Sequence, residues 1–352
     1  MLPTQMHAAV MQGFGQPLAL RQQPLPEPAE DEVLLQVRAC GVCHSDLHIL
    51  DGDTPAFKPI TKPELIPGHE VVGTVLRLGT GVRQLALGQR VGVAWMHWSC
   101  GQCELCRDGM ENLCRQTSIT GLRVNGGYAQ YMVAKADFAI PVPDALDDAE
   151  AAPLFCAGVT SYRAVTHAGV QTGQRVAVVG VGGLGHLALQ IARARGAEVI
   201  AIDVADDKLA AARALGAAHA FDARSPETPR AVRALGLAHV VIVTSAARAA
   251  YDLAIKLLRP GGTLSVVGLP PEPLSFAALQ IVGGEFRIVG SSVGTRDDIR
   301  ATLAMAAAGE LRCHAQRRPL EQINEVLDDM RAGRIATRTV LDFGLARPHP
   351  SS

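Results

Sequence analysis

The chain has 352 residues, 48% hydrophobic and 19% charged, with a formal net charge of −1. That balance gives no electrostatic case for nucleic acid or an anionic membrane surface as a partner, and no apolar run is long enough for a membrane-spanning helix. The length suits two domains, each able to bury its own core.

The start, MLPTQMHAAVMQGFGQPL, lacks a basic stretch followed by an apolar core, which argues against secretion and for a cytoplasmic protein. In that reducing setting the eight cysteines read as metal ligands before they read as disulfides. Residues 1–40 alternate apolar and polar in short runs broken by PLPEPAEDE, the punctuation of β-strands, with Val33–Arg38 the clearest of them. Ala39–His48, ACGVCHSDLH, is too polar and too rich in Cys and His for a core helix. Cys43 is its candidate ligand; Cys40 is not assigned to metal. His69 then stands between Gly68 and Glu70, just ahead of the strand-like Val71–Val75.

A histidine beside a strand, or a cysteine in an apolar run, is by itself ordinary core. Cys43, His69 and the distant Cys156 are more informative as a set of two thiolates and one imidazole. Three such ligands leave one tetrahedral position open, which separates a catalytic zinc from a structural one. Metal-bound histidines have an acceptor on their other ring nitrogen; Asp46 is expected to fill that role, with Glu70 tuning the site or transiently entering it.

Cys100, Cys103, Cys106 and Cys114 form a separate signal, with two, two and seven residues between successive cysteines. Four thiolates saturate a tetrahedral zinc and would staple a loop poor in apolar residues. An iron–sulfur cluster could use the same ligands, but nothing else in the chain asks for electron transfer.

From Gly126 to Pro143 the pattern is strand and turn, and the acidic stretch Asp144–Glu150 leads to Cys156, where it switches to alternating strands and helices. Arg175–Val179 is a buried-strand run, followed at once by Gly180-Val-Gly182-Gly183-Leu184-Gly185 and a helical stretch. Strand, GxGxxG and helix in register make a dinucleotide-binding turn: glycines let the pyrophosphate approach the backbone and the helix start offers free N–H groups. A second strand ends at Asp203, whose carboxylate would accept from the ribose hydroxyls and repel a 2′-phosphate, favouring NAD over NADP. Lys208 is close enough to add a ribose or phosphate contact. Further strand–helix units, a turn at Arg259–Gly262, a strand at Thr263–Leu269 and another at Phe286–Gly290 predict a parallel doubly wound α/β sheet. Helices are expected over Asp297–Gly309 and Glu321–Met330, then a short strand at Thr339–Phe343 and a frayed end at Arg347–Ser352.

With ACGVCHSDLH, PGHEVVGTV, the four-cysteine loop, LFCAGVTSYRA, GVGGLGH, AIDVADDKL and VGSSVGTRDD, the chain resembles the zinc-containing alcohol dehydrogenases of the medium-chain dehydrogenase/reductase family, in particular the microbial tetrameric kind. The resemblance implies a GroES-like β-rich catalytic domain over residues 1–155 and 296–352, with the structural zinc loop at about 95–116, and a Rossmann NAD-binding domain over 156–295. It implies one catalytic and one structural zinc per chain, NAD as cofactor, a small-molecule alcohol or aldehyde as substrate, and a homotetramer. By matching position, Ser45 and His48 are the proton relay, which runs from the alcohol by way of the cofactor ribose. His44 and Arg338 contact the pyrophosphate, Thr160 lies near the nicotinamide and Trp95 lines the substrate pocket. Relatives that prefer ethanol tend to carry tryptophan where this chain has Thr54, so a roomier pocket is expected. An aldehyde reductase, a polyol dehydrogenase and a non-catalytic zinc- and NAD-binding protein share the fold; a scaffold without turnover would not need Ser45 and His48.

Overall fold

The computed structural model describes residues 2–344; the expected frayed end lies outside the described residues. The chain divides into two compact units: one runs through Cys156 and takes up Thr295–Ala307 and the chain from Cys313 onward, the other comprises Ala157–Gly294 and Ala308–Arg312. The strands, in chain order, are β1 (Gln5–Val10), β2 (Ala19–Pro24), β3 (Glu32–Val42), β4 (Glu70–Leu78), β5 (Arg90–Val93), β6 (Met96–Trp98), β7 (Ser118–Ile119), β8 (Tyr131–Lys135) and β9 (Ile140–Pro141). After them come β10 (Arg175–Val179), β11 (Glu198–Asp203), β12 (His219–Asp222), β13 (Ala238–Val243), β14 (Leu258–Val266), β15 (Arg287–Gly290), β16 (Ala315–Arg318) and β17 (Arg338–Asp342).

In the first unit β3 organises a seven-stranded sheet of order β16-β17-β3-β4-β5-β9. Its eleven residues are almost all buried, as expected of a strand paired along both edges. β4 covers one edge; β8 pairs with the first half of the other and β17 with its last residues. All these pairings with β3 are antiparallel, so the end of β3, the start of β4 and the start of β17 meet at one end of the sheet. The register sets Glu70 opposite Gly41 and Thr339 opposite Val42. That alignment brings Cys43, His69, Glu70 and Arg338 to a common edge.

One local expectation is corrected here. Ala39–Val42 completes β3, and His44–Asp51 is a helix although its stretch is rich in polar residues, Cys and His. Leu47, Ile49 and Leu50 bury one of its faces. Asp46, at the third helical position, accepts a hydrogen bond from the Cys43 backbone N–H at 3.0 Å, and Gly52 closes the helix in the left-handed region at φ 65°. Those local bonds support an element only eight residues long, too short for its apolar spacing to stand out.

The second unit holds a six-stranded parallel sheet of order β12-β11-β10-β13-β14-β15. Counted from β10 this is 3-2-1-4-5-6, the doubly wound order that places a dinucleotide at the carboxyl end of its first strand. The expected turn at Arg259–Gly262 is absorbed into β14 as an irregularity: Ala238 pairs with Leu258, then Val240 with Thr263. Gly261 takes φ +74° there, a value suited to glycine.

Candidate active site

At the shared strand edge, the ligand atoms of Cys43, His69, Glu70 and Cys156 all lie within 4.8 Å of one another, and all four residues are buried. The Cys43 and Cys156 sulfurs are 3.9 Å apart, far longer than a disulfide bond. A tetrahedron with metal–sulfur bonds of about 2.3 Å has edges of about 3.8 Å, so the spacing fits two thiolates on one zinc. His69 Nε2 is buried without a hydrogen-bond partner. A buried ring nitrogen with a free lone pair beside two sulfurs is a donor set suited to zinc and costly without an ion.

Asp46 is hydrogen-bonded to that histidine. Its Oδ1 accepts from His69 Nδ1 at 2.9 Å, with neither side chain exposed. Nδ1 carries the proton in this pairing, which leaves the Nε2 lone pair for a metal. Burial alone would push the imidazole down; the charge and hydrogen bond of Asp46 overcome it and make the ring more basic than an ordinary histidine, which strengthens Nε2 as a donor to a metal that displaces its proton. In the sulfur pair, the hydrogen bond from Cys156 draws the Cys43 thiol well below its usual range, while Cys156 is pushed well above.

Glu70 is fully buried, and burial raises its carboxyl to about 7 although Arg338 opposes the shift. One oxygen is held by Arg338; the other, Oε2, has no partner. A Cβ on Gly41 would lie 1.9 Å from Oε2, so β3 needs glycine at this point. The Arg338 guanidinium is itself buried and donates to the Glu70 carboxylate.

Ser45 and His48 lie one turn apart on the helix His44–Asp51, a spacing that puts them on one face; His44, at its first position, is exposed. His48 Nδ1 is 2.9 and 3.0 Å from the two carboxylate oxygens of Asp53, both side chains about half exposed. Thr54 Oγ1 donates to the same carboxylate at 3.2 Å. Trp95 stands edge-on to His69, ring centroids 4.8 Å apart and planes at 83°, and Phe57 packs on Trp95 at 5.7 Å. The sequence reading missed Asp53, Phe57 and Tyr128, whose hydroxyl donates to Asp46 at 2.8 Å. They come from turns and irregular segments with no spacing to betray them.

Cys100, Cys103, Cys106 and Cys114 form the second donor cluster, their sulfurs within 4.8 Å of one another. The Cys100–Cys106 and Cys103–Cys114 separations are 3.9 Å and Cys100–Cys114 is 3.6 Å, again the edges of a zinc tetrahedron. Beside Cys114, Glu111 receives the Arg296 guanidinium at 2.7 Å and the Arg296 backbone N–H at 2.9 Å.

In the second unit, Gly180 turns at φ +91°, and a Cβ there would come within 2.9 Å of the Ser245 N. A Cβ on Gly185 would strike the Gly180 carbonyl at 1.8 Å, whereas at Gly182 it would meet only Lys208 Nζ at 4.0 Å. Gly180 and Gly185 therefore shape the turn, and Gly182 leaves its outer side open. Gly183 and Leu184 complete the turn at the start of the helix Gly185–Ala194, and Thr160 is buried in the helix Ala157–His167. Asp203 is less free than the sequence suggested. Its Oδ2 accepts from Val181 N at 2.6 Å, and its Oδ1 from Val204 N and Ala205 N at 2.8 and 3.1 Å. The carboxylate thus ties the end of β11 to the glycine turn.

Residues 29–144 match the family described as alcohol dehydrogenase GroES-like domain, and residues 183–308 that of zinc-binding dehydrogenase. An alcohol dehydrogenase of Geobacillus stearothermophilus is 43% identical over 337 residues, covering 96% of this chain and 99% of its own. The chain belongs to the zinc-containing alcohol dehydrogenases of the medium-chain dehydrogenase/reductase family. The solved alcohol dehydrogenase of the hyperthermophilic archaeon Aeropyrum pernix superposes with a TM-score of 0.87 at 32% identity, covering 96% of this chain and 99% of its own. Acetophenone reductase from Geotrichum candidum, solved in complex with NAD, gives 0.87 at 32%, covering 97% and 98%. As a member of this family the chain pairs a GroES-like β-rich domain with a Rossmann domain, and is an NAD-dependent zinc oxidoreductase acting on alcohols. Among the described residues no helix is long and apolar enough to cross a membrane.

Proposed function

We propose that Cys43, His69 and Cys156 hold the catalytic zinc, and that the enzyme interconverts primary or secondary alcohols with their aldehydes or ketones beside an NAD seated on the Gly180–Gly185 turn. The observation that carries this reading is the unpartnered Nε2 of His69, set beside two sulfurs with its other nitrogen pinned by Asp46. When bound, zinc supplies the Lewis acidity that eases loss of the alcohol proton, and NAD the ring that takes up hydride.

The protein's own groups do the rest. Ser45 takes the hydroxyl proton and passes it toward His48, from which Asp53 and solvent lie on the outward side. Trp95 and Phe57 form an apolar wall next to His69 that holds the substrate carbon chain and excludes water from it. Glu70 stands by as a neighbouring carboxylate, kept from permanent ligation by Arg338. Cys100, Cys103, Cys106 and Cys114 would hold the structural zinc. Asp203 selects NAD by receiving the ribose hydroxyls, with Lys208 as a further contact from its place after the second strand, and Thr160, His44 and Arg338 as contacts taken from the family resemblance. That resemblance also supports a cytoplasmic homotetramer.

Thr54 in place of a tryptophan supports substrates bulkier than ethanol. The test is a panel of ethanol, hexanol and benzyl alcohol followed by NADH absorbance, alongside zinc analysis. Two zinc atoms per chain and higher catalytic efficiency on the larger alcohols are expected; a steep preference for ethanol would overturn the substrate reading, and a single zinc the metal reading.

A further inference from the structure

Asp46 is more heavily engaged than a carboxylate orienting one histidine needs to be. Each of its oxygens takes two donors: Oδ1 the His69 ring at 2.9 Å and the Gly68 backbone N–H at 3.3 Å, Oδ2 the Cys43 backbone N–H at 3.0 Å and the Tyr128 hydroxyl at 2.8 Å. Three of these donors come from the segments that carry the ligands. The fourth is a tyrosine whose side chain is fully buried, and a buried phenol needs an acceptor, which Asp46 provides.

Tyr128 is also built into the ligand-bearing loop from the other side. Gly126, Gly127 and Tyr128 form a strap across the segment that precedes His69. Their backbone N–H groups donate in turn to the carbonyls of Ile66 at 2.6 Å, Gly68 at 2.9 Å and Pro67 at 3.0 Å. The tyrosine ring lies flush on Gly68, where an added Cβ would fall 2.5 Å from its Cδ1. One residue thus grips the backbone before His69 and, through its hydroxyl, the carboxylate that orients the His69 ring.

We propose that Tyr128 is a positioning residue for the catalytic metal, its hydroxyl fixing the rotation of the Asp46 carboxylate so that Oδ1 stays on His69 and Nε2 stays aimed at the ion. Without that hydroxyl, Oδ2 keeps only the Cys43 N–H, and the carboxylate gains freedom about its last bond. Partners one step from a metal ligand change metal affinity about 10–100-fold. A group acting through such a partner should have a smaller effect, about 3–10-fold. This inference rests on the assignment of Cys43, His69 and Cys156 as zinc ligands.

The test is zinc release from the purified holoenzyme to a chromogenic chelator, for wild type and Tyr128→Phe, with the four-cysteine site as the internal reference. Release from the catalytic site is expected to quicken about 3–10-fold, with release from the four-cysteine site unchanged. The thiolate-to-metal absorption of the cobalt-substituted enzyme should shift as well. In an Asp46→Asn background, Tyr128→Phe should add less than about twofold, because residues acting through one another are non-additive. Tyr128→Leu separates ring from hydroxyl. If Tyr128→Phe matches wild type in release rate and cobalt spectrum while Tyr128→Leu alone loosens the site, Tyr128 is packing and the proposal falls. It also falls if the Tyr128→Phe effect persists in full in the Asp46→Asn background. Wild type that yields one zinc in place of two would instead refute the ligand assignment beneath it.

Discussion

The ring of His48 meets the carboxylate of Asp53 through Nδ1, at 2.9 and 3.0 Å to its two oxygens. This fixes which ring nitrogen faces Asp53 and leaves Nε2 out of that contact. Both groups are partly exposed, so the pair has a direct outlet for a proton. Replacing Asp53 with Asn should lower turnover near neutral pH by about tenfold, with both zinc atoms retained. Added small bases such as imidazole should restore part of the lost rate. Steady-state kinetics with and without imidazole check this.

Thr54 bears on the same corner. Its hydroxyl donates to Asp53, and its small size is what argues for a wide pocket. Thr54→Trp is expected to cut efficiency on benzyl alcohol relative to ethanol by about 10–100-fold. A ratio of kcat/KM values, measured for both alcohols on both proteins, gives the answer without reference to enzyme concentration.

Asp203 is the proposed acceptor for the ribose hydroxyls and already accepts from three backbone N–H groups, so one substitution should have two effects. Asp203→Ser removes the charge that repels a 2′-phosphate, so the preference for NAD over NADP should fall by about 100-fold. It also removes the acceptor of the Val181, Val204 and Ala205 N–H groups, so NAD binding itself should weaken. Cofactor titrations by protein fluorescence measure both effects.

The Glu111–Arg296 contact predicts a pH dependence of stability. Burial alone would raise the Glu111 carboxyl, but the Arg296 guanidinium and backbone N–H overcome this and hold it below its ordinary value. A lowered folded-state value means the contribution is fully present above the unfolded pKa of about 4.3. It is lost as pH falls through the folded value. Glu111→Gln should therefore cost about 1–2 kcal/mol at pH 7, and its Tm should converge on that of wild type only as pH falls through the lowered folded-state value, below the unfolded pKa. Thermal unfolding over a pH series distinguishes this from a pH-independent packing defect.

What the sequence made legible follows from what leaves a local trace. Cys100 to Cys114 and Gly180 to Gly185 are each contained in one short segment, and their spacing alone states the chemistry. Cys43, His69 and Cys156 are far apart in the chain; their residue types propose them as a set, and the fold brings their candidate ligand atoms within 4.8 Å of one another. Asp46 could be proposed because a histidine read as a metal ligand calls for a nearby acceptor on its other ring nitrogen. Tyr128 and Asp53 could not, because a hydroxyl or carboxylate in a turn or irregular segment looks the same whether it faces solvent or a buried polar group. The helix His44–Asp51 was hidden for a related reason: it is held by capping bonds and three apolar side chains rather than by a long amphipathic repeat. The continuation of β14 through Arg259–Gly262 likewise depends on pairing with β13, which Pro260 and two glycines disguise as a turn.

The central claim is that His69, with Cys43 and Cys156, holds the zinc at which alcohol is oxidised. Its most direct test is His69→Ala, assayed for turnover, metal content and NAD binding in one preparation. The account predicts turnover abolished, one zinc per chain in place of two, and NAD binding largely kept. A variant that keeps more than about a few per cent of wild-type turnover, a far smaller loss than removal of a catalytic metal ligand should cause, would contradict it.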